Sequence, residues 1–304
     1  MDVVSDAISA VRTGRPSSNR LLVGGRWCVR LSAYEGAGFH VVLGGGCVLL
    51  PDGGGEPVTL GTGDVVLLPH GAGHVLADGP VSAGDVRRAV PFEKVTEADV
   101  RPAAGGPQVE LLCGKYRLDR ARVHPLMAEL PEVVHLRNRI GAHPELRAAV
   151  DLLARELTGD RPGATLALPS LLDLLLVYMV RAWLTEASTG AWSAALSDPP
   201  TAAALRALHA APSAPWTNAR LATEAGVSRA TLSRRFTSLV GRPPMAYLTW
   251  WRLTLAATRL RDTDAPLATV ARDAGYASPY ALSHAFSREF GVTPGRYRQG
   301  VRAG

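Results

Sequence analysis

Cysteine is scarce in this chain of 304 residues, and Cys28, Cys47 and Cys113 are all there is. Three thiols scattered over the first half cannot build the disulfide framework of a small secreted fold, and free thiols in a reducing compartment are the expectation. Long hydrophobic runs are also missing. No stretch of 18 or more residues is both apolar and free of charge, so no membrane span or membrane partner is expected. The first 25 residues have no hydrophobic signal-peptide core, and the reading is of a cytoplasmic protein. No P-loop, Rossmann fingerprint or Ser-His-Asp order is present. The glycines of GGGEPVTLGTG lack the strand and helix that would make them a phosphate cradle. Lysine is nearly absent, Lys94 and Lys115 being the only two, so arginine carries almost all the positive charge.

That charge is unevenly placed. From Pro199 to the C-terminus there are 14 Arg and five acids, a formal +9 within a chain of +6 overall, which leaves the first 198 residues mildly acidic. A basic C-terminal third beside an acidic remainder is the footprint of a polyanion binder, although a solvated basic surface would give the same count.

Periodicity divides the chain into three parts. Short apolar runs such as FHVVL and DVVLLP alternate with the turn clusters GGG, PDGGGEP and PHGAG over the first 140 residues, an all-β pattern. Residues 141–198 change period: PELRAAVDLLAREL and LALPSLLDLLLVYMVRAWLTEA carry apolar residues at three and four spacing, as helices do. The second is apolar around most of its girth between Leu171 and Leu184, which points to burial against another layer or a second subunit. Residues 199–304, after the DPP at Asp198–Pro200, read as short helices. The fold class expected is α+β: a β-barrel, a helical linker and dimerisation region, and an all-α C-terminal domain.

The last third contains a repeat. LATEAGVSRATLSRRF and VARDAGYASPYALSHAF align on Ala225-Gly226 and Ala274-Gly275, each with a following apolar residue, a Ser, and a Leu and Phe four apart. Each copy reads as a helix-turn-helix. Gly226 and Gly275 supply the positive φ of the turn, Val227 and Tyr276 plug the angle, and Ser228 and Ser278 cap the second helix. Arg229, Ala230, Ser233 and Arg234 are then left on the outer face of the first copy, and Pro279, Tyr280, Ser283 and His284 on that of the second. Arg suits guanine edges, and Ser and His suit edges or phosphates. Arg288 sits later, where a phosphate or structural contact is expected. Between the copies, Met245 to Arg261 reads as one helix able to hold two reading heads about one DNA turn apart.

The C-terminal 100 residues resemble the AraC/XylS transcription regulators, whose signature is close to the AGY, Ser, Leu, Phe and GVTPGRYR found between Ala274 and Arg298. The resemblance implies base-reading positions at Ala230, Ser233 and Arg234 and at Pro279, Tyr280 and His284. It also implies promoter DNA and RNA polymerase as partners, a nucleoid location, and activation as the sense of regulation. The family often has Arg where His284 stands, which implies a second head that grips phosphate more than it reads bases.

The segment GDVVLLPHGAGH, Gly63 to His74, matches the second cupin motif at every fixed position. For the first cupin motif, FHVVLGGGC offers His40, Val42 and Cys47. If Gly44-Gly45 forms a two-residue hairpin, Val42 and Cys47 become cross-strand partners and His40 shares their face. His40, Cys47 and His74 would then occupy three of the four usual ligand positions, Cys113 is a further candidate because the helix or strand that carries it could close the mouth of the barrel, and His70 lies in a turn at the surface. Three readings stay open: a buried packing cluster, a site for a soft or borderline metal such as Zn or Cu, and a thiol that oxidises reversibly. No cofactor is required by the sequence. The competing class is a metal-dependent cupin enzyme, which Val42 and Cys47 argue against by replacing expected ligands.

The β half together with Leu111 to Leu136 is similar to the cupin-type sensor of one AraC-family branch that includes reactive-chlorine-responsive regulators. This implies a transcription regulator controlled by a small molecule, a metal or an oxidant, and a homodimer assembled through the long apolar helix with Leu174, Val177 and Tyr178 near the contact.

Overall fold

The computed structural model describes residues 2–95, 108–119, 123–157, 161–187 and 190–303. Two compact units emerge. One comprises Val11–Val123 and Leu130–Glu186, and the other comprises Met1–Ala10, His124–Glu129 and Ala187–Gly304.

The first unit is built on two five-stranded sheets. β1 (Arg12–Gly24), β3 (Ala37–Gly44), β6 (Val65–Leu68), β9 (Gln108–Leu118) and β10 (Val134–Leu136) form one, in the order β1-β9-β3-β6-β10. The other is β5-β4-β7-β2-β8, from β2 (Cys28–Leu31), β4 (Gly46–Pro51), β5 (Val58–Gly61), β7 (His74–Ala77) and β8 (Val90–Pro91). A short helix, α2 (Ala83–Arg88), precedes β8. The run FHVVL is continuous and apolar because β3 is central, paired with β9 and β6, and buried on both faces. Inside, Val42, Cys47, Leu49, Leu60, Val66, Leu76, Leu111 and Cys113 form one apolar core between the sheets. On the opposite face of β3, Phe39 packs against Tyr116, whose hydroxyl donates to the Leu172 carbonyl at 2.7 Å.

The expected hairpin at Gly44-Gly45 does not form. Val42 pairs with Leu111 on β9, and Cys47 pairs with Leu60 on β5, in the other sheet. The glycines instead carry the chain around the corner from one sheet to the next. Gly45 has a φ of +76°, and a Cβ there would fall 2.4 Å from the Gln108 carbonyl oxygen, so only glycine fits the corner.

Two helices complete this unit, α4 (Pro144–Glu156) and α5 (Ala164–Glu186). α5 buries Leu172, Leu175, Leu176, Met179 and Val180, and its Asp173 forms an ion pair with Arg12 of β1. By length and composition alone it is also the one helix among the described residues able to cross a membrane, because the few charges it carries do not offset its apolar girth. The linker region expected at 141–198 is thus shared: α4 and α5 stay with the sheets, and the division falls at Ala187. The DPP motif starts a helix, with Asp198 accepting a hydrogen bond from the Thr201 amide at 3.1 Å as its cap.

The second unit contains α6 (Ala191–Ser197), α7 (Pro199–Ala210), α8 (Asn218–Glu224), α9 (Arg229–Val240), α10 (Pro244–Asp262), α11 (Leu267–Asp273), α12 (Pro279–Phe290) and α13 (Pro294–Ala303). α8 with α9, and α11 with α12, are the two helix-turn-helix heads. α10 has 19 residues, about 28 Å of helix. Two short segments from the N-terminal half join this unit: α1 (Val3–Val11), by its residues up to Ala10, and α3 (Pro125–Ala128).

Candidate functional site

Both heads are made by the residues that the repeat singles out. Gly226 and Gly275 have φ values of +66° and +76° in the turns. Ser228 and Ser278 accept hydrogen bonds from the amides of Thr231 and Ala281, at 3.2 and 3.1 Å, and start α9 and α12. Leu232 and Phe236 in one head and Leu282 and Phe286 in the other are buried. Gly241 and Gly291 end the helices in the left-handed conformation. Behind the second head, Tyr297 packs edge-on against Phe286 and Phe290, with centroids 5.4 and 5.2 Å away.

This leaves one face of each second helix in solvent. On α9, Arg229, Ala230 and Arg234 are exposed and Ser233 is half-exposed. On α12, Pro279, Tyr280, His284 and Arg288 are exposed and Ser283 half-exposed, with Tyr280 at 81%. Tyr280, Ser283, His284 and Arg288 also line one shallow groove. Arg235, next to Arg234, is committed elsewhere: it pairs with Asp198 at 3.0 Å and ties α9 to the start of α7.

The sensor candidates lie differently from the sequence reading. His40 faces Cys113, its registered partner on β9, with Nδ1 3.1 Å from Sγ, and its Nε2 lies 2.7 Å from Nε2 of His74. Cys47 packs in the same apolar core as Cys113 but is not brought onto His40, because the hairpin that would have placed it there is absent. His70, expected at the surface, is half-buried and bonds the Leu130 carbonyl at 2.7 Å.

The proton positions in this row follow from chemistry. Nδ1 of His74 meets the Ala72 carbonyl at 3.1 Å, which can only accept, so His74 carries its proton there and offers a bare Nε2. His40 therefore donates from Nε2 and accepts at Nδ1, from the Cys113 thiol. Burial, with the neighbouring His74, holds the pKa of His40 well below the ordinary imidazole value, and burial also lowers that of His74. Burial, with Cys47 nearby, pushes the Cys113 thiol up to about 12, and burial with Asp64 does the same for Cys47. Uncharged imidazoles do not activate a thiol, so burial raises the thiol pKa here, against the reading of a thiol that oxidises reversibly.

A metal fits this row poorly. Zinc at about 2.0–2.1 Å from each nitrogen needs the two Nε2 atoms well over 3 Å apart, and here they share a proton at 2.7 Å. The thiol lies on the opposite nitrogen of His40, so it cannot join an ion held by the Nε2 pair. Among the described residues no group of three or more His, Cys, Asp or Glu is arranged to hold an ion.

The row opens instead onto a cavity of about 220 Å³, lined by His40, His74 and Cys113 together with Tyr34, Phe92 and Lys115 among others. The Tyr34 hydroxyl is buried and has no hydrogen-bond partner among the described residues. Tyr34 is part of the cavity wall, and an orphan donor on such a residue marks a candidate place for a ligand.

A second buried polar row, which sequence reasoning missed, lies in the helical unit. Asp6 of α1 accepts from Nδ1 of His209 at 2.8 Å; Nε2 of His209 lies 2.7 Å from the Tyr247 hydroxyl, and that hydroxyl lies 3.1 Å from Nε2 of His124. The Leu126 amide donates to Nδ1 of His124, so His124 donates to Tyr247, Tyr247 to His209, and His209 to Asp6. His209 carries no local signal, being one polar residue beside Thr201 and Arg206 in a largely apolar helix, and its carboxylate partner is 203 positions away in sequence.

Fold and site together define a DNA-binding regulator with two helix-turn-helix heads and a β-sandwich domain of cupin type. Residues 2–185 match the Cupin family and residues 221–300 the Helix-turn-helix domain family. A Streptomyces lividans protein described as an AraC-like transcription regulator is 37% identical over 301 residues, 98% of each chain. The HTH-type transcriptional regulator MtrA of Neisseria gonorrhoeae is 31% identical over 98% of each chain. The RCS-specific HTH-type transcriptional activator RclR of Escherichia coli is 29% identical over 82% of this chain and 79% of its own. The chain belongs to the AraC-type transcription regulators that carry an N-terminal cupin domain.

Proposed function

We propose that this protein is a one-component activator that acts in the cytoplasm at the nucleoid, recruits RNA polymerase, and is controlled by a small organic ligand bound in the sandwich cavity. The observation that carries the ligand class is Tyr34, a residue of the cavity wall whose buried hydroxyl has no hydrogen-bond partner among the described residues. The cavity is smaller than the roughly 300 Å³ at which drug-sized sites begin, which favours a compact ligand with one hydrogen-bonding group. Arg229, Ala230, Ser233 and Arg234 of the first head, with Pro279, Tyr280, Ser283 and His284 of the second, would read or grip the promoter, and Arg288 would hold phosphate.

The test is in vitro transcription from a promoter that the purified protein footprints, with compact uncharged organics, Zn, Cu and hypochlorite as separate arms. Tyr34→Phe and His74→Ala should lose the response to an organic effector and keep DNA binding, while Cys28→Ser should respond as wild type. A response to oxidant or metal alone, lost in Cys113→Ser and kept in Tyr34→Phe, would overturn this reading in favour of thiol or metal sensing.

The homodimer is proposed to form through α5. Leu166 and Leu174 are 79% and 39% exposed on it, and the half-exposed Val177 and Tyr178 continue the face into an apolar stripe that a second copy could cover. Light scattering at micromolar concentration should give the mass of two chains, and Leu166→Glu with Leu174→Glu should give the mass of one. A monomeric wild-type protein would rule this out.

A further inference from the structure

Two reading heads on one duplex must keep a fixed register, and a single helix is a weak device for that. α10 sets their separation, and each head packs on it, the first through Phe236 against Tyr247 and the second through Leu282 and Phe286 with Leu253 and Leu260. A long helix nevertheless bends and lets one head swing against the other. A second contact, off the helix axis, would remove that freedom.

Such a contact exists, and it is centred on Arg252, midway along α10. Its Nε donates to the Pro212 carbonyl at 2.7 Å and its Nη2 to the Ala214 carbonyl at 2.8 Å. These carbonyls belong to the loop that leads into the first head. The loop is itself folded tightly: the Ala214 amide and the Trp216 indole both donate to the Ala211 carbonyl, at 3.1 and 2.8 Å. It ends at Thr217, the cap of α8.

The same loop touches the turn of the second head. A Cβ added to Gly275 would lie 2.7 Å from Cα of Ser213 and 3.1 Å from the Arg252 guanidinium. Gly275 is therefore glycine for two reasons, its positive φ and the backbone pressed against it. Tyr276, next in sequence, packs into the core of the second head with Leu253, Leu282 and Phe286.

We propose that Arg252 is a positioning residue that fixes the register of the two heads, by clamping the loop ahead of the first head against the turn of the second. The guanidinium suits the task because its planar fork reaches two carbonyls at once in one orientation, which a lysine ammonium cannot do with the same rigidity. The clamp touches no base, so its effect appears in the spacing that the protein accepts and leaves the bases read by each head unchanged. This rests on both heads contacting DNA.

The experiment uses the full chain and a duplex that it selects from a random-sequence library. Affinity is measured for that duplex and for a version with one base pair inserted between the two protected segments, which turns one segment against the other by about 34–36°. The wild-type protein should lose at least about tenfold on insertion. Arg252→Ala should lose less than about threefold on insertion while keeping the same base preference within each segment. Arg252→Lys should fall between. Circular dichroism melts establish that each variant is folded, and if Arg252→Ala is not, Arg252→Lys decides. An undiminished insertion penalty in the folded variant overturns the role of Arg252. A wild-type protein that protects a single segment, or is indifferent to the insertion, overturns the two-headed reading and the clamp with it.

Discussion

Arg234→Ala will weaken binding to the selected duplex by about 1–3 kcal/mol, which is about 5- to 150-fold, and will relax preference at one base position. Arg234 is exposed on α9, about one and a half turns after the Ser228 cap, where a helix entering a major groove presents side chains to base edges. Its neighbour Arg235 provides the internal control. That guanidinium is held by Asp198 at 3.0 Å, so Arg235→Ala should loosen the packing of α9 on α7 without altering which base is preferred. Arg288→Ala should weaken all sequences alike and lower the salt slope by about one. The measurement is a set of affinities across single-base variants of the duplex at two salt concentrations. Unchanged affinity and preference in Arg234→Ala would remove α9 as the main reader.

The second large effect expected is loss of stability in mild acid. His40, His74 and His124 are buried, and burial depresses the pKa of each, with His74 adding to the effect on His40 and His209 to that on His124. The sign follows from linkage. Between the unfolded value, about 6.5, and the lower folded value, the unfolded chain binds protons that the folded chain does not, so stability falls as pH falls through that window. Each such imidazole contributes a slope of about 1.4 kcal/mol per pH unit there. Above pH 6.5 the three contribute no slope. Asp64, whose carboxylate is held below its usual value by the Asn138 and Gly61 amides and by His135 despite a burial effect of the opposite sign, acts only at lower pH, where its protonation removes further stability.

Both buried rows are exposed to this effect. Protonating His40 requires breaking its bond from the Cys113 thiol, and protonating His124 requires displacing the Leu126 amide from Nδ1. Thermal melts at pH 7.5, 6.5 and 5.5 should show melting temperature nearly level over the first interval and falling over the second. His124→Gln should flatten the acid slope of the helical unit while lowering stability at pH 7.5, because Tyr247 loses its donor. Equal melting temperatures at pH 7.5 and 5.5 would show that these imidazoles take up protons without leaving the fold.

The reading heads were legible in the sequence down to single residues. Gly226, Ser228, Leu232 and Phe236, and their counterparts Gly275, Ser278, Leu282 and Phe286, do their work within about ten residues of one another. Turn conformation, helix capping and the inward face of a short helix are decided over that distance. The cupin stretch from Gly63 to His74 was legible for the same reason, as a turn, a buried strand and a second turn in immediate succession. The alternation of short strands and then of helical periods likewise set the α+β class.

What only the tertiary structure decided concerns residues that meet across long separations. Whether Gly44-Gly45 closes a hairpin or turns a corner between two sheets depends on β9, whose Gln108 carbonyl crowds Gly45 from more than sixty positions away; the corner put Cys47 in the other sheet, and the register of β3 with β9 put Cys113 beside His40. The Asp6, His209, Tyr247 and His124 row and the Arg252 clamp on Pro212 and Ala214 are of the same kind. A backbone carbonyl has no sequence signature, and a buried His, Tyr or Arg is placed by whichever distant partner satisfies its hydrogen bonds. Local sequence therefore determined the elements and the faces they turn to DNA, and long-range burial of polar groups decided which side chains share a site.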